Sequence, residues 1–247
     1  MATIRLLREA DLDDCMRLKE AAGWNQTAAD WRALLRVSPD GCFGLELDSR
    51  IVATTTSVVH NGVGWIGMVL TDPAHRGRGF ARALMEHALA WTDPQTPTVK
   101  LDATHLGEPL YRKLGFVDEC VIERWTGEYS GAPAACAGDY AGQLRHPAIP
   151  LDAVAQTPEA WAAGRPGSNA WYFGPCYAAA PEAAEQVARA LLAGRGRAAW
   201  DLFPDHPAAA IAARLGFAPA RRLLRMVRGT PAPTPPDVYA IAGFEWG

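Results

Sequence analysis

Val69-Leu70-Thr71-Asp72-Pro73-Ala74-His75-Arg76-Gly77-Arg78-Gly79-Phe80-Ala81 reads as the end of a strand, a tight turn and the first residues of a helix. The first N–H groups of a helix have no partner within it, and the helix dipole adds positive potential there. Glycines at 77 and 79 let the backbone come close to a ligand and turn several N–H groups toward one anion. Arg76, Arg78 and Arg82 add full positive charges beside them. A pyrophosphate fits such a turn. The plainer reading is a surface Arg/Gly turn that joins a strand to a helix. The stretch lacks the Gly-Lys-Ser/Thr ending of a Walker loop and the Gly-x-Gly-x-x-Gly order of a dinucleotide fold.

Upstream, three β-rich runs lead into this turn: Cys42 to Leu47, Ile51 to Val59 and Gly64 to Thr71. The middle run is dense in β-branched residues, as strands prefer. His60-Asn61-Gly62 separates the last two, and an Asn-Gly pair is a strong hairpin signal. Before them come a short strand, Thr3 to Leu7, and two helices. The first spans Ala10 to Ala22, with Leu12, Cys15, Met16 and Lys19 at helical spacing. The second follows Thr27 as N-cap and carries Trp31, Leu34 and Leu35 on one face.

Downstream, a helix places Phe80, Leu84, Ala88 and Trp91 on one side. Then come a strand from Val99 to Asp102, a short helix from Leu110 to Leu114, and a strand from Gly115-Phe116 to about Trp125. Residues 128 to 150, rich in Gly, Ala and Pro, read as a linker. A second series follows: strand (Trp171 to Phe173), helix (Pro181 to Ala193), strand (Arg197 to Leu202), helix (Pro207 to Leu215), strand (Phe217 to Val227). Asp102 and Leu114-Gly115-Phe116 in the first series match Asp201 and Leu215-Gly216-Phe217 in the second. The shared order favours an internal duplication. Pro231 to Pro236 is a stiff connector, and Val238 to Gly247 is apolar enough to dock as a tail.

Composition narrows the function. The chain has 247 residues, 49 % hydrophobic and 21 % charged, with net charge −3. That supports a packed core and argues against nucleic acid as a partner, since phosphate neutralisation needs a basic face. Cys15, Cys42, Cys120, Cys136 and Cys176 form no CxxC pair and no zinc-spaced cluster, so no metal site is expected and reduced thiols fit the cytoplasm. The N-terminal residues lack a basic segment leading into an apolar one, so no signal peptide is expected. No run approaches the roughly 18 apolar residues that a membrane span needs.

The glycine turn resembles the acyl-CoA loop of the GNAT N-acetyltransferases, whose pattern is Gln/Arg-x-x-Gly-x-Gly/Ala. Arg76, Gly79 and Ala81 fit it, and Asp72-Pro73 precede it. A second block, Leu101-Asp102-Ala103-Thr104 with Gly107 and Leu110 to Phe116, also matches, as does the element order β-α-α-β-β-β-α-β-α-β. The resemblance covers residues 3 to 127. The second half resembles the degenerate GNAT-like domain of two-domain members through Arg165-Pro166-Gly167, Gly174-Pro175, Asp201, Gly216-Phe217 and Arg225-Met226. It departs from the active pattern at Gly174-Pro175-Cys176, where no phosphate turn follows, and at Ala212, which stands where the first half has Tyr111.

What this resemblance implies is an α/β fold. It is a tandem of GNAT-like units, each a mixed, largely antiparallel sheet flanked by helices, with its central strands splayed. Residues 1–127 would be catalytic, 128–150 a linker and 151–247 degenerate, giving one active site per chain. Acetyl-CoA would lie with its pyrophosphate on Arg76, Gly77, Arg78, Gly79, Phe80, Ala81 and Arg82. Its pantetheine would run along Val69, Leu70 and Thr71 and past Thr104. An N–H freed by a bulge near Val69 or Leu70 would hold the oxyanion, and Tyr111 would protonate the departing thiolate. The plainer reading of Tyr111 is a core aromatic on a short amphipathic helix. The strand from Gly64 to Val69 carries no ionisable side chain, so the base stays open between His60, His105 and a water chain. The acceptor, a small-molecule amine, would meet Trp24-Asn25-Gln26 and Trp65, with His60 near and with Tyr172 and Glu245 closing the cleft. Trp24 reads as readily as helix packing. A non-catalytic acyl-CoA binding module and a protein-directed acetyltransferase remain the alternatives.

Overall fold

In the computed structural model, which describes residues 2–142 and 149–247, the β-prone runs of the first half form an antiparallel meander. β1 (Thr3–Leu6), β2 (Cys42–Leu47), β3 (Arg50–His60) and β4 (Val63–Thr71) pair in chain order. Asn61 (φ 50°) and Gly62 (φ 74°) close the β3–β4 hairpin in the left-handed region, which this pair of residues tolerates best. α1 (Leu12–Ala21) and α2 (Ala28–Val37) bury Leu12, Cys15, Leu18, Trp31 and Leu34 with Ile51 on one face of the sheet. α3 (Phe80–Thr92) buries Leu84, Met85 and Ala88 with Val52 on the other. Two covered faces explain why β3 reads as a nearly unbroken apolar and β-branched run.

β5 (Thr98–Ala103) lies parallel to β4, and α4 (Glu108–Lys113) and β6 (Val117–Glu128) follow. The second half contains β7 (Ala153–Thr157), β8 (Ala160–Arg165), β9 (Trp171–Ala178), α5 (Pro181–Leu192), β10 (Arg197–Leu202), α6 (Pro207–Arg214), β11 (Phe217–Gly229) and β12 (Val238–Ala240). All belong to one 12-stranded mixed sheet, ordered β1-β2-β3-β4-β5-β11-β6-β10-β9-β8-β7, with β12 against β9. β11 stands between β5 and β6, and β6 between β11 and β10. β6, the last strand of the first half, and β11, the long strand of the second, are therefore each hydrogen-bonded to the other half.

The exchange is fixed by two buried ion pairs at matching positions. Asp102 on β5 faces Arg225 on β11, and Asp201 on β10 faces Arg124 on β6. Arg225 donates to Asp102 from Nε and Nη2 at 2.8 and 2.9 Å, and Arg124 donates to Asp201 likewise at 2.7 and 2.7 Å. Each arginine stands eight residues after the Phe of its own Leu-Gly-Phe. Both pairs have two-point geometry, which is what lets buried charges compensate for lost hydration.

Boundaries differ from the sequence expectation by a few residues at several element ends, while Cys42–Leu47 and Arg197–Leu202 coincide. The β7–β8 hairpin lies between residues 150 and 170, where no strand is expected from the sequence pattern. Its Ala and Gly content lowers β propensity, yet every residue of β8 is buried, so packing supplies the preference that the side chains lack. Part of the predicted linker, residues 143–148, lies outside the described residues.

Candidate active site

β4 and β5 are paired only at Gly64↔Val99 and Trp65↔Lys100; beyond these the strands part. Where they part, β4 bulges. Thr54 faces Leu70 and Thr56 faces Gly67, so Met68 and Val69 oppose a single residue of β3. Met68 has φ 50°, outside the extended region, and Thr54 Oγ1 donates to its carbonyl oxygen at 2.8 Å. A bulge leaves main-chain groups without ladder partners.

Past Thr71 the chain enters the glycine turn. Asp72 caps it by accepting from Ala74 N at 2.9 Å and is anchored by Arg17, which also donates to Ile51 O at 2.9 Å. Gly77 (φ 75°) and Gly79 (φ 79°) are left-handed, and a Cβ built on either would meet nothing within 4 Å. The space above the turn is open. α3 starts at Phe80 with no side-chain cap, so its first amides remain available. Arg76 and Arg78 are exposed beside it, with the Arg78 guanidinium 4.9 Å over the Phe80 ring. Arg82 pairs with Glu86 at 2.8 Å.

The gap between β4 and β5 opens into a cleft of about 60 Å³. Val69, Thr104 and Tyr111 line it together with Trp24, Gln26, Arg124, Arg221 and Glu245. Leu70 and Thr71 continue β4 toward the turn. Tyr111, on α4, is 8 % exposed, and its ring meets Phe116 edge-on at 6.2 Å. Among the described residues its hydroxyl has no hydrogen-bond partner. Burial raises the Tyr111 pKa well above the usual phenol value, so the group is protonated at neutral pH and can donate.

Glu245 reaches the cleft from the C-terminal tail. A Cβ on Gly67 would lie 2.7 Å from the Glu245 Cα, so only glycine lets the tail cross β4 beside the bulge. The Glu245 carboxylate accepts from Gln26 Nε2 at 2.8 Å and Arg165 Nη2 at 3.3 Å. Arg165 also donates to Asp30 at 2.7 Å and to Ala242 O at 3.0 Å. Burial raises the Glu245 pKa, Asp30 adds to that, and Arg165 opposes it.

The predicted acceptor residues fall in different places. Trp24 is in the cleft. The Asn25 amide is committed: Nδ2 donates to Ala170 O at 3.0 Å, and Oδ1 accepts from the main chain at Asn169 and Ala170. It fastens the 168–170 loop to the α1–α2 loop. The Tyr172 hydroxyl donates to Asp201 at 2.6 Å, its ring lies under Arg165 and Arg124, and it is not among the residues that line the cleft. His60 and Trp65 line a second cavity of about 270 Å³ on the far side of the tail. There His60 Nε2 hydrogen-bonds Trp246 O at 2.8 Å, and Arg225 sits 4.5 Å over Trp65. His105 is exposed on the loop before α4. Arg124 and Arg221 were not expected at the site. They stand inside the strand runs, where nothing in the local sequence says which half they will line.

Among the described residues no group of three or more His, Cys, Asp or Glu could hold a metal ion, and no helix is long and apolar enough to cross a membrane. All five cysteines are unpaired.

Residues 6–116 match the model of the Acetyltransferase (GNAT) family. No curated protein matches the sequence. Among solved structures, a Pyrococcus horikoshii protein described as a candidate acetyltransferase superposes over 100 % of this chain and 96 % of its own, with TM-score 0.82 at 18 % identity. A GCN5-related N-acetyltransferase from Sphaerobacter thermophilus covers 92 % of this chain and 95 % of its own, with TM-score 0.63 at 12 % identity. A candidate acetyltransferase from Thermoplasma acidophilum covers 92 % and 100 %, with TM-score 0.62 at 14 % identity. At these identities the likeness is one of fold, and it runs the length of the chain.

Proposed function

With residues 6–116 a domain of the GNAT acetyltransferase family, we propose that this chain moves an acetyl group from acetyl-CoA to the primary amine of a small molecule. The observation that carries the reading is one continuous path. The open glycine turn leads into the splayed β4–β5 gap, past the Met68–Val69 bulge, to the unpartnered Tyr111 hydroxyl. In this reading the amides of residues 76–81 hold the diphosphate, and the edge of β4 pairs with the pantetheine amides as a sheet edge pairs with a peptide. The chain is then a tandem of two GNAT-like units that exchange β6 and β11. The narrow cleft, walled by Trp24, Phe244 and the tail, favours a small acceptor over a protein segment. The free thiols are in keeping with the cytoplasm.

The amine nitrogen attacks the thioester carbonyl carbon. A carbon–nitrogen bond forms, the carbon–sulfur bond breaks, and a main-chain N–H at the bulge holds the transient oxyanion. Two proton transfers complete the balance. Glu245 takes the proton from the attacking amine, and Tyr111 gives one to the leaving thiolate. A carboxylate with a raised pKa suits the first role, and a buried neutral phenol suits the second. The base thus comes from the tail and not from β4, His60 or His105.

Thiol release from acetyl-CoA with a panel of small primary amines tests the reading. Glu245 must be unprotonated to accept a proton. Activity therefore falls as pH drops through its raised pKa, above the ordinary carboxylate range. Glu245→Gln lowers kcat/KM by roughly 10²-fold and removes that acid limb. A limb that persists in Glu245→Gln takes the base role away from Glu245, and no thiol release with any amine takes away the transferase.

A further inference from the structure

In the cleft lining the protein leaves two polar groups, on Arg221 and Gln26, without hydrogen-bond partners, and they have opposite requirements. The first is Arg221. It faces Arg124 directly across the β11–β6 pairing, next to a bulge at Pro219. Like charges in that relation repel. Arg124 is committed: two hydrogen bonds to Asp201 at 2.7 Å each, and a stack on Phe244 at 4.7 Å. Arg221 has only the Trp24 ring, 5.9 Å from its guanidinium; among the described residues it makes no hydrogen bond and no ion pair. It is half-buried, and both burial and Arg124 disfavour its charge. The carboxylates nearby are in use, Asp201 by Arg124 and Tyr172, Asp102 by Arg225, Glu245 by Arg165 and Gln26.

The second is the Gln26 side-chain oxygen. Gln26 is 7 % exposed, its Nε2 serves Glu245, and its Oε1 is buried with no donor. Buried carbonyl oxygens almost always have a donor, and an ammonium or amine supplies one. The site therefore lacks an anion at Arg221 and an N–H donor at Gln26, beside the carboxylate that would take the proton.

We infer that the acceptor is a small amino acid, whose carboxylate pairs with Arg221 while its amino group sits against Gln26 Oε1 and Glu245, facing the thioester. The inference rests on the acetyl-transfer reading above. The planar guanidinium fork matches a carboxylate at two points, and a cleft of about 60 Å³ accommodates a short molecule. Phosphate is the other anion such a fork accepts.

The test compares thiol release from acetyl-CoA with α-, β- and γ-amino acids, with the carboxamide of each, and with aminoalkyl phosphates. Acetyl-CoA binding is followed separately by calorimetry. For the preferred amino acid, kcat/KM exceeds that of its carboxamide by about 10- to 100-fold, the loss expected when a desolvated charge goes unpaired. Arg221→Met erases that ratio while acetyl-CoA affinity stays unchanged. Its melting temperature is unchanged or higher, because a repulsive neighbour of Arg124 is gone. A structural arginine would lower it. Arg221→Lys keeps part of the ratio. Equal turnover of acids and amides, a ratio that survives Arg221→Met, or a preference for the phosphates overturns the inference. So does binding of acetyl-CoA with no turnover of any member of the panel. No uptake of acetyl-CoA at all instead brings down the acetyl-transfer reading, and this inference with it.

Discussion

In each half of the molecule two parallel strands meet at one end and part at the other. β4 and β5 meet at Gly64↔Val99 and Trp65↔Lys100, and β9 and β10 meet at the pairs from Ala198↔Trp171 to Trp200↔Phe173. What fills the gap differs. Between β4 and β5 it is a cleft, with Val69, Thr104 and Tyr111 on its wall, and β4 runs on from Val69 toward the glycine turn. Beyond its pairing with β10, β9 instead takes β12 as partner, through Val238↔Tyr177 and Ala240↔Cys176. Ile241 N donates to Asp201 O at 3.1 Å, and Trp200 Nε1 donates to Tyr239 O at 2.8 Å. The second wedge is thus occupied by the chain's own tail. A strand edge opened for an amide-bearing ligand is also an edge that a peptide can join. The same tail then crosses Gly67 and delivers Glu245 to the first wedge. One segment closes one gap and equips the other.

The phenol is the sharpest difference between the wedges. Ala212, fully buried on α6, stands in the second half where Tyr111 stands in the first. Tyr111→Phe is expected to lower turnover by roughly 10²- to 10⁴-fold with acetyl-CoA affinity nearly unchanged. Full activity in that variant would erase the distinction between the halves as far as acid catalysis goes.

The ion pairs, by contrast, make the halves alike. Removing one partner of a buried pair costs about 3–5 kcal/mol, and at about 2–4 °C per kcal/mol for a chain of this size the melting temperature falls by the order of 10 °C. Asp201→Ala and Asp102→Ala should both show this by calorimetric melting. Asp201→Ala also frees Arg124 at the cleft wall, so its turnover suffers in addition. A loss under about 1 kcal/mol for either variant would mean that the exchanged strands are held by something other than these pairs.

Much of the first wedge was legible because its signals are local. Asn61-Gly62 fixed a hairpin, Thr27 marked a helix start, and Gly77 and Gly79 adopt the left-handed backbone that the turn needs. The second half was less so. The alanines and glycine of β8 carry no strand preference, and their burial comes from neighbours distant in sequence. The strand exchange leaves no local trace, since β6 and β11 have the same pattern whichever half they join. The part of the cleft lined by Gln26, Arg124, Arg221 and Glu245 was hidden for the same reason. Gln26 and Glu245 stand 219 residues apart and meet only when the tail docks. Arg124 and Arg221 become neighbours only through strand register. His60 and Trp65 share β3 and β4 with the site, but they lie beyond the tail, which the sequence could not position.

Titration calorimetry with acetyl-CoA, on the wild-type chain and on one glycine variant from each wedge, tests the central contrast most directly. Gly79 has φ 79°, so Gly79→Val strains the turn and puts a branched side chain into the space where the diphosphate would lie. Gly174 has φ 143°, and a Cβ there would fall 2.3 Å from Ile241 O in the filled wedge. The wild type should take up one equivalent per chain. Gly79→Val should weaken binding by at least about 30-fold, and Gly174→Ala should melt earlier yet bind as the wild type does. No uptake, two equivalents per chain, or wild-type affinity in Gly79→Val would contradict the account.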